Sequence, residues 1–403
     1  MYVYKTIQAN KAIIQKMVFI NESAMDDFQV FVKPVGAACN LDCQYCYYLE
    51  KQQLYPGKQV FRMPDDLLEE YIIQHISASP GPEIFFSWHG GEPTLAGLNF
   101  FKRVVELQKK HLPDNRTVFN GLQTNGTLLT HEWCRFLKEA HFVVGISLDG
   151  PENIHSIFRF HKDRQACFDE VLRGFHLLRQ YDIPCEILCV VSSANVGYPL
   201  EIYRYFKQLK VEFITFLPLV EKETSPGQQV SERTVNAKAF GEFLCTIFDE
   251  WKSSDIGILK IQLFEEVLRS AFCIDHTLCI FKKTCGGVPV VEHNGDFYSC
   301  DHFVNERHLL GNIRKTSLKQ LLESPQQKAF GQVKLTSLPD YCLKCKVREM
   351  CNGACPKDRF IETPDGEKGL NYLCEGYKLF FSHCKPFVEQ VAEVWQANKP
   401  DNA

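Results

Sequence analysis

Short apolar runs alternate with amphipathic segments from about Phe28 to about Val220. Each run has the length of a strand, and the segments between runs repeat apolar residues at helical spacing. Strands that alternate with helices in this way are typical of an α/β protein with a parallel sheet. Six such strands predict a partial (β/α)6 barrel of the TIM type. The predicted strands are Val30–Val35, Ile84–His89, Thr117–Thr124, Phe142–Leu148, Pro184–Val191 and Phe213–Leu219.

Two of the segments between strands carry clear helix signals. Asp65 to Ser77 opens with an acidic first turn, and Leu98 to His111 repeats apolar positions at helical spacing. In folds of this kind, chemistry collects at the carboxyl ends of the strands. Functional motifs are therefore expected directly after the predicted strands.

Beyond the barrel the chain becomes rich in cysteine. We expect an N-terminal extension over residues 1–27, the barrel over 28–245 and a helical linker over 246–275. A cysteine-rich domain is expected over 276–384, followed by a helix and tail over 385–403. The content of 45% apolar residues agrees with one large domain and a second, smaller one.

Composition limits the cellular setting and the partners. The 403 residues include 18 cysteines, but the chain has no recognisable signal peptide. Such a long chain is not a typical disulfide scaffold, so the cysteines are interpreted as metal ligands in a reducing cytoplasm. No apolar run approaches the length that spans a bilayer. The net charge of -4 argues against a nucleic-acid surface, so we expect a cytoplasmic protein without membrane or nucleic-acid partners.

Three cysteines follow the first predicted strand with the spacing Cys39-x-x-x-Cys43-x-x-Cys46. Three thiolates on one loop can hold three irons of a cubane iron–sulfur cluster and leave the fourth iron open to a small molecule. The alternative is a zinc knuckle, but zinc usually takes four donors, and no histidine follows closely to complete the set. The spacing, with Tyr45 before the third cysteine, resembles the radical S-adenosylmethionine signature. This resemblance implies that S-adenosylmethionine chelates the open iron.

Polar motifs lie at the ends of the next three predicted strands. Residues 88–94 read Trp-His-Gly-Gly-Glu-Pro-Thr, where paired glycines let the backbone approach a ligand closely. If the segment stood alone, it would be interpreted as a tight turn. Because the cysteine triplet precedes it, the segment resembles the GGEP motif of radical S-adenosylmethionine enzymes, which holds the amino group of S-adenosylmethionine. Segments 123–126 and 147–150 are expected to bind ribose and carboxylate, whereas Arg159 is either a carboxylate contact or a surface ion pair. The predicted cofactor contacts are Tyr45, His89, Gly90, Gly91, Glu92, Ser147, Asp149 and Arg159.

Eight further cysteines follow Leu278 and fall into two sets of four. Each set could saturate a cubane cluster, as expected for electron-transfer centres. Two zinc ribbons are the alternative, and the cysteine triplet favours clusters. The segment VPVVEHNGDFYSC predicts a β-hairpin with an Asn-Gly turn. The arrangement resembles the twin-cluster SPASM domain.

Taken together, the motifs resemble those of the anaerobic sulfatase-maturating enzymes. These radical S-adenosylmethionine oxidoreductases convert a cysteine or serine of a sulfatase into Cα-formylglycine. The resemblance runs from about Phe31 to about Phe381, and the run from Ser299 to Phe303 and the spacing of the last five cysteines narrow it to this family. The matching segments are VKPVGAACNLDCQYCYYLE, SWHGGEPTLAGL, LQTNGTLL, VGISLDGP, CTIFDEW, NGDFYSCDHFV, LGNI, CNGACPK and GLNYLCEGY.

The resemblance implies three [4Fe-4S] clusters, one that binds S-adenosylmethionine and two auxiliary ones with interleaved ligands. Asp301 would be the general base that takes the proton of the substrate radical, while the auxiliary clusters carry the electron away. Tyr48 matches a family tyrosine near the substrate. The implied partners are an unfolded or nascent sulfatase polypeptide with a Cys-type or Ser-type motif, and an electron donor such as flavodoxin or ferredoxin. The first auxiliary set would be Cys279, Cys285, Cys300 and Cys355, and the second Cys342, Cys345, Cys351 and Cys374.

Other interpretations stay open. A SPASM-domain maturase would form a thioether or carbon–carbon bond in a ribosomally made peptide, but the region before Phe28 is too short for the peptide-binding domain that such enzymes often carry. An iron–sulfur assembly or electron-carrier protein would not need the GGEP motif, and a zinc-binding interaction module would hold no iron. His155, Ser156 and segment 164–168 depart from the family pattern, which leaves the contacts of loop 155–168 open. The client sulfatase and the preference for cysteine or serine are also open.

Overall fold

The computed structural model describes residues 28–57, 61–223 and 229–397, so the predicted extension over 1–27 lies outside the described residues. The described chain divides into two compact units. The sheet unit comprises residues 28–189 and 284–333, and the helical unit comprises residues 190–283 and 334–397. Each unit combines two separate stretches of the chain, whereas the domains predicted from the sequence are contiguous.

The strands are short, and most lie in the sheet unit. Their bounds are β1 Phe31–Lys33, β2 Glu83–Trp88, β3 Thr117–Thr124, β4 Phe142–Ser147, β5 Cys185–Val191, β6 Phe213–Pro218, β7 Lys260–Ile261, β8 Val290–Glu292, β9 Asp296–Tyr298, β10 Leu309–Asn312, β11 Ile361–Glu362 and β12 Lys368–Leu370.

Helices separate the successive parallel strands and continue through the helical unit. They are α1 Asp65–Ala78, α2 Leu98–His111, α3 His131–Glu139, α4 Glu152–His155, α5 Phe168–Gln180, α6 Pro199–Gln208, α7 Ala237–Ser254, α8 Gln262–Ala271, α9 Leu318–Leu322, α10 Pro325–Thr336, α11 Asp340–Leu343, α12 Arg348–Cys351 and α13 Cys374–Ala397.

The sheet unit orders its strands β10-β9-β8-β1-β2-β3-β4-β5. Strands β1 to β5 run parallel, and β1 also pairs in parallel with β8. Strands β8, β9 and β10 are antiparallel neighbours. Because β8 pairs with β1 and β9 pairs with β8, the residues after β9 come close to the loop that follows β1.

Burial explains why the helices cover one face of this sheet. Trp88 of β2 is fully buried, and its ring lies 6.1 Å from Tyr71 of α1 and 5.9 Å from Phe101 of α2 between centroids. Ile84 and Phe86 of the same strand are at most 1% exposed. The alternation of β2 therefore directs its bulky side chains towards α1 and α2.

The predicted elements are present as β1 to β6, and the predicted hairpin is β8 with β9. The bounds of β3 and α2 are those predicted, and the other elements differ by one or a few residues at their ends. The predicted boundaries after residues 245 and 384 fall inside α7 and α13, which pack along each other in the helical unit. Phe248 of α7 contributes to this packing, with its ring centroid 5.7 Å from that of Phe387.

Candidate active site

The loop after β1 holds the cysteine triplet. Burial raises the pKa of Cys39 to about 12, and the charge of Glu92 adds to this rise. Burial also raises the pKa of Cys43 to about 12, although the charge of Arg159 opposes the rise. Both thiols interact electrostatically with Cys46, so the three sulfurs are close neighbours. Thiols of this kind become thiolates when a metal replaces their protons.

The glycines after β2 let a second loop lie against the cysteine loop. Gly91 N donates to Gly36 O at 2.9 Å, and Glu92 N donates to Ala38 O at 2.8 Å. A Cβ atom on Gly91 would lie 2.1 Å from Ala38 O, and one on Gly90 would lie 2.9 Å from Gly36 O. The sequence predicted close approach to a cofactor; in the structure the paired glycines permit close approach of the cysteine loop itself.

Glu92 is fully buried and organises the surrounding turns. Its Oε1 accepts hydrogen bonds from Thr94 N at 3.0 Å, Thr94 Oγ1 at 2.6 Å and Thr124 Oγ1 at 2.8 Å. Its Oε2 accepts one from Asn125 N at 2.7 Å. Burial raises the pKa of Glu92, and these hydrogen bonds counteract the rise. The carboxylate thus joins the end of β2 to the end of β3.

Asn125 connects the end of β3 to the cysteine loop. Its Nδ2 lies 3.8 Å from Cys39 Sγ and donates to Asn40 Oδ1 at 3.0 Å. Its Oδ1 accepts hydrogen bonds from the backbone and hydroxyl of Thr127. Sequence analysis placed Asn125 in a polar segment that binds the cofactor but did not predict the contact with the thiol.

Asp149, Arg159 and Tyr45 form one buried group. Arg159 donates from Nε to Asp149 Oδ2 at 2.8 Å and from Nη2 to Asp149 Oδ1 at 3.3 Å. The Tyr45 hydroxyl also donates to Asp149 Oδ2. Although burial opposes it, the charge of Arg159 lowers the pKa of Asp149. Arg159 is 7% exposed, so the structure places it in a buried ion pair and not in a surface one.

The other two predicted cofactor contacts, Ser147 and His89, lie at the ends of β4 and β2. Ser147 Oγ accepts a hydrogen bond from Gln123 Nε2 at 3.2 Å. His89 stacks on Phe31, with ring centroids 3.9 Å apart. Burial and the charge of Lys33 lower the pKa of His89 to about 3, so its imidazole is neutral at pH 7.

Asp301 begins a short 3-10 helix directly after Cys300 and is 7% exposed. Its Oδ1 lies 2.6 Å from Lys33 Nζ, and its Oδ2 accepts a hydrogen bond from the Tyr47 hydroxyl. Burial opposes ionisation, but the charges of Lys33 and His302 outweigh it and lower the pKa of Asp301 to about 2. The side chain is therefore a carboxylate at neutral pH.

Two adjacent tyrosines have different surroundings. Tyr48 is 2% exposed, and its hydroxyl donates to Glu292 Oε1. Tyr47 is 45% exposed and contacts Asp301. Tyr48, the predicted substrate contact, is thus turned into the core, and the neighbouring Tyr47 has the more accessible position. Sequence reasoning missed Tyr47 and Lys33, because neither belongs to a spacing that signals chemistry.

The second predicted auxiliary set comes together within the helical unit. Its four cysteines line one pocket. Burial raises the pKa of Cys351 to about 12 and that of Cys374 to about 11, and charges of other cysteines in the set add to both rises. Lys378 and Arg348 also line this pocket. The four cysteines of this predicted set are Cys342, Cys345, Cys351 and Cys374.

The first predicted auxiliary set has two members in each unit. In the sheet unit, Gln327 Nε2 donates to Gly286 O at 2.8 Å and to Ser299 O at 3.0 Å, which links the backbone beside Cys285 to that beside Cys300. In the helical unit, Lys334 Nζ donates to Cys279 O at 2.7 Å, and Cys279 interacts electrostatically with Cys355.

The donor types and their grouping fit iron–sulfur clusters. Among the residues that the structure describes, no three His, Cys, Asp or Glu side chains are arranged to hold one metal ion together. In a cubane cluster each cysteine binds a different iron atom, so its ligands surround a volume and do not converge on a point. The four cysteines around one pocket in the helical unit have this arrangement.

Comparison with known proteins shows which family the chain belongs to. The Radical SAM superfamily model matches residues 34–213, and the model of the iron–sulfur cluster-binding SPASM domain matches residues 279–346. The chain is 43% identical over 373 residues to the serine-type anaerobic sulfatase-maturating enzyme of Bacteroides thetaiotaomicron, covering 89% of this chain and 90% of that protein. This chain belongs to the family of anaerobic sulfatase-maturating enzymes. The family includes the cysteine-type enzyme of Clostridium perfringens, 34% identical over 375 residues, covering 91% of this chain and 99% of that protein.

A solved structure of the anaerobic sulfatase-maturating family shares the fold. Native anSMEcpe with bound AdoMet and Kp18Cys peptide matches with a TM-score of 0.82 and 33% identity, covering 91% of this chain and 99% of that one. The predicted fold class, an α/β partial barrel followed by a SPASM domain, is confirmed. In the described part of this family member, no helix has the length and apolar content needed to cross a membrane.

Proposed function

We propose that this chain converts a cysteine or serine of a sulfatase polypeptide to Cα-formylglycine without oxygen. The family membership supports the reaction, and the 43% identity extends over 89% of this chain. The observation that carries the proposal is the buried carboxyl group of Asp301, which directly follows Cys300 and contacts Lys33 and Tyr47.

The cofactors are three [4Fe-4S] clusters and S-adenosylmethionine. When bound, they supply the 5′-deoxyadenosyl radical that removes a hydrogen atom from Cβ of the target residue, and a route for the electron that leaves afterwards. The loop of Cys39, Cys43 and Cys46 would hold the cluster that binds S-adenosylmethionine. The two predicted auxiliary sets would hold the other clusters.

Asp301 acts as the general base of this reaction. After hydrogen abstraction the peptide must lose a proton as well as an electron, and a carboxylate that is ionised at neutral pH can accept this proton. The half-exposed Tyr47 orients Asp301 Oδ2 from the accessible side. A serine substrate then gives the aldehyde directly, whereas a cysteine substrate gives a thioaldehyde that water hydrolyses.

The predicted contacts to S-adenosylmethionine divide into two roles. Because the Glu92 carboxylate already accepts four hydrogen bonds from the protein, we assign it mainly to positioning the glycine loop for the amino group. Asp149 and Arg159 brace the Tyr45 side chain beside the triplet. Ser147, His89, Gly90 and Gly91 complete the set at the strand ends.

The partners follow from the reaction. The related anSMEcpe was solved with bound AdoMet and Kp18Cys peptide, so we propose an extended segment of an unfolded or nascent sulfatase as the substrate. A flavodoxin or ferredoxin would supply the electron, and the cytoplasm would provide the reducing setting.

An anaerobic assay tests the proposal. Reconstituted protein is mixed with S-adenosylmethionine, dithionite and a peptide that carries Cys-x-Pro-x-Arg or Ser-x-Pro-x-Arg, and peptide mass is followed together with 5′-deoxyadenosine. We expect the aldehyde to form in the wild-type protein. Asp301→Asn should abolish the aldehyde but not the nucleoside, and the matched change of the exposed Asp114→Asn should leave both unchanged.

The products also separate the remaining interpretations. If the wild-type protein forms the nucleoside but changes neither peptide, the assigned substrate is wrong, and a maturase of ribosomally made peptides becomes the better assignment. If no nucleoside forms although the clusters are loaded, the radical S-adenosylmethionine chemistry itself is refuted.

A further inference from the structure

Lys33 is a buried cation at the centre of the site. It ends β1, six positions before Cys39, and is 2% exposed. A lysine that is taken out of water keeps its charge only where anionic groups compensate for the lost hydration. Two buried carboxylates are near it: Asp301, and Glu292, whose Cα pairs with that of Lys33 between β1 and β8.

The contacts of Lys33 aim its ammonium group at Asp301. Nζ lies 2.6 Å from Asp301 Oδ1 and 4.1 Å from the centroid of the Tyr48 ring. The Tyr48 hydroxyl donates to Glu292 Oε1, so Glu292 holds this ring in place beneath the cation. Glu292 Oε2 lies 3.2 Å from His293 Nδ1, which gives the second carboxylate oxygen its own partner. Asp301 is thus left as the carboxylate that Lys33 contacts directly.

Tyr47 holds the other oxygen of the same carboxylate. Its hydroxyl donates to Asp301 Oδ2, while Lys33 engages Oδ1, an oxygen that is itself buried. Two contacts on opposite oxygens fix both the position and the rotation of the carboxylate plane. Lys33 and Tyr47 lie on either side of the triplet, so the same loop that would carry the cluster also orients Asp301.

We propose that Lys33 is a positioning residue for the oxidation of the peptide, acting through Asp301. This inference rests on the proposed function. After the hydrogen atom has left Cβ, the peptide radical would lose a proton to Asp301, and the iron–sulfur clusters, when bound, would take up its electron. Lys33 neither gains nor loses a proton in this step. It keeps the accepting carboxylate in line with the substrate, and a misplacement of about 1 Å at such a group costs about 100-fold in rate.

The two products of the assay separate this role from a purely structural one. Lys33→Met should keep its iron content and its peptide-dependent formation of 5′-deoxyadenosine within about twofold of the wild type, because hydrogen abstraction does not need Asp301. Conversion to the aldehyde should fall about 100-fold. The ratio of nucleoside to aldehyde should therefore rise by the same factor. Lys33→Arg should convert more peptide than Lys33→Met but less than the wild type, since arginine keeps the positive charge but has a side chain of different length and shape.

Matched variants complete the test. Lys102→Met removes an exposed lysine paired with Glu132 and should change neither product. In an Asp301→Asn background, which forms the nucleoside but no aldehyde, Lys33→Met should change neither product further, because two residues that act through one group are not additive.

The inference is overturned if Lys33→Met converts the peptide like the wild type. It is also overturned if iron, nucleoside and aldehyde fall together, since Lys33 would then support only the loop. If Lys33→Met does not fold, Lys33→Arg decides: normal nucleoside with reduced aldehyde supports the inference, and any parallel change or unchanged conversion refutes it. Failure of the wild-type protein to form an aldehyde would instead refute the proposed function.

Discussion

Some residues that have no reactive or metal-binding side chain still decide whether the site can form. Gly91 is one of them, because its missing side chain leaves room for Ala38 O, to which Cβ would come within 2.1 Å. The contact partner is backbone and cannot rotate away. The cysteine loop can therefore take up its position only because residue 91 is a glycine and has no Cβ atom.

Gly91→Ala should displace the cysteine loop and weaken its cluster. We expect iron content to fall by about four atoms per chain, the number in one cubane cluster, while the auxiliary clusters stay loaded. Iron analysis of the reconstituted protein, with electron paramagnetic resonance to identify the remaining clusters, measures this loss. The matched change Gly197→Ala, where nothing lies within 4 Å of the added Cβ, should keep the full iron content. Full iron in Gly91→Ala would refute the steric argument.

Asp149 carries a second prediction at this scale. Asp149→Asn leaves the guanidinium of Arg159 buried without a charged partner, and breaking a buried pair in this way costs about 3 kcal/mol or more. Urea unfolding of the cluster-loaded protein, followed by circular dichroism, should show this lower stability. Glu132→Gln, which breaks the exposed pair with Lys102, is the control and should unfold at the wild-type midpoint. Equal midpoints for both variants would contradict the importance of the buried pair.

Between elements, α7 and α13 pack closely where they cross. A Cβ atom on Gly376 would lie 2.0 Å from Ala237 O, and one on Gly241 would lie 2.6 Å from Gly376 O. The two helices can approach this closely because both lack a side chain at the crossing. Since α13 begins at Cys374, the same crossing sets the position of a predicted cluster ligand.

Gly376→Ala should push α13 away from α7. We expect a lower unfolding temperature and partial loss of iron from the second auxiliary cluster, because Cys374 lies two residues before the substitution. Differential scanning calorimetry and iron analysis under anaerobic conditions measure both effects. Ser382→Ala changes an exposed position of the same helix and should affect neither. A normal iron content in Gly376→Ala would show that the helix crossing does not affect binding of the second auxiliary cluster.

For the whole molecule, the metals are expected to complete the fold of the cysteine-rich region. Around the second set, a small buried cluster consists of Leu338, Cys342 and Leu370, and α11 and α12 have four residues each. So little apolar contact cannot offset the entropy of ordering this segment. Cluster binding would supply the missing free energy.

Removal of iron should therefore unfold the cysteine-rich region before the parallel sheet. We expect chelated protein to lose hydrogen-exchange protection most strongly around α11 and α12, while β2 to β4 and the β8 strand that pairs with β1 stay protected. Mass spectrometry of exchanged peptides measures this difference. Reconstitution with iron and sulfide should restore the protection. A chelated protein that keeps α11 and α12 protected would show that the chain folds there without metal.

Elements with a strong local pattern were predicted well. The bounds of α2 and β3 agree with the prediction because apolar spacing and β-branched content are properties of neighbouring residues. The units were harder to predict: each joins two distant stretches, and the predicted boundaries after 245 and 384 cut through helices. A linear sequence shows where elements lie, but the packing of α7 on α13 depends on residues more than a hundred positions apart.

The sequence by itself determined the chemistry that this protein can perform, because the type of each predicted ligand and the spacing between ligands can be read directly from it. The cysteine triplet, the GGEP motif and the two later sets identify the cofactors, and Asp301 follows a ligand directly. Only the tertiary structure decided which side chains serve these groups. It brings Lys33 and Tyr47 to Asp301, turns Tyr48 towards Glu292 and engages the Glu92 carboxylate within the protein. These partners are up to 268 positions apart, so their pairing follows from the pairing of β8 with β1 and of β9 with β8, which no local pattern encodes.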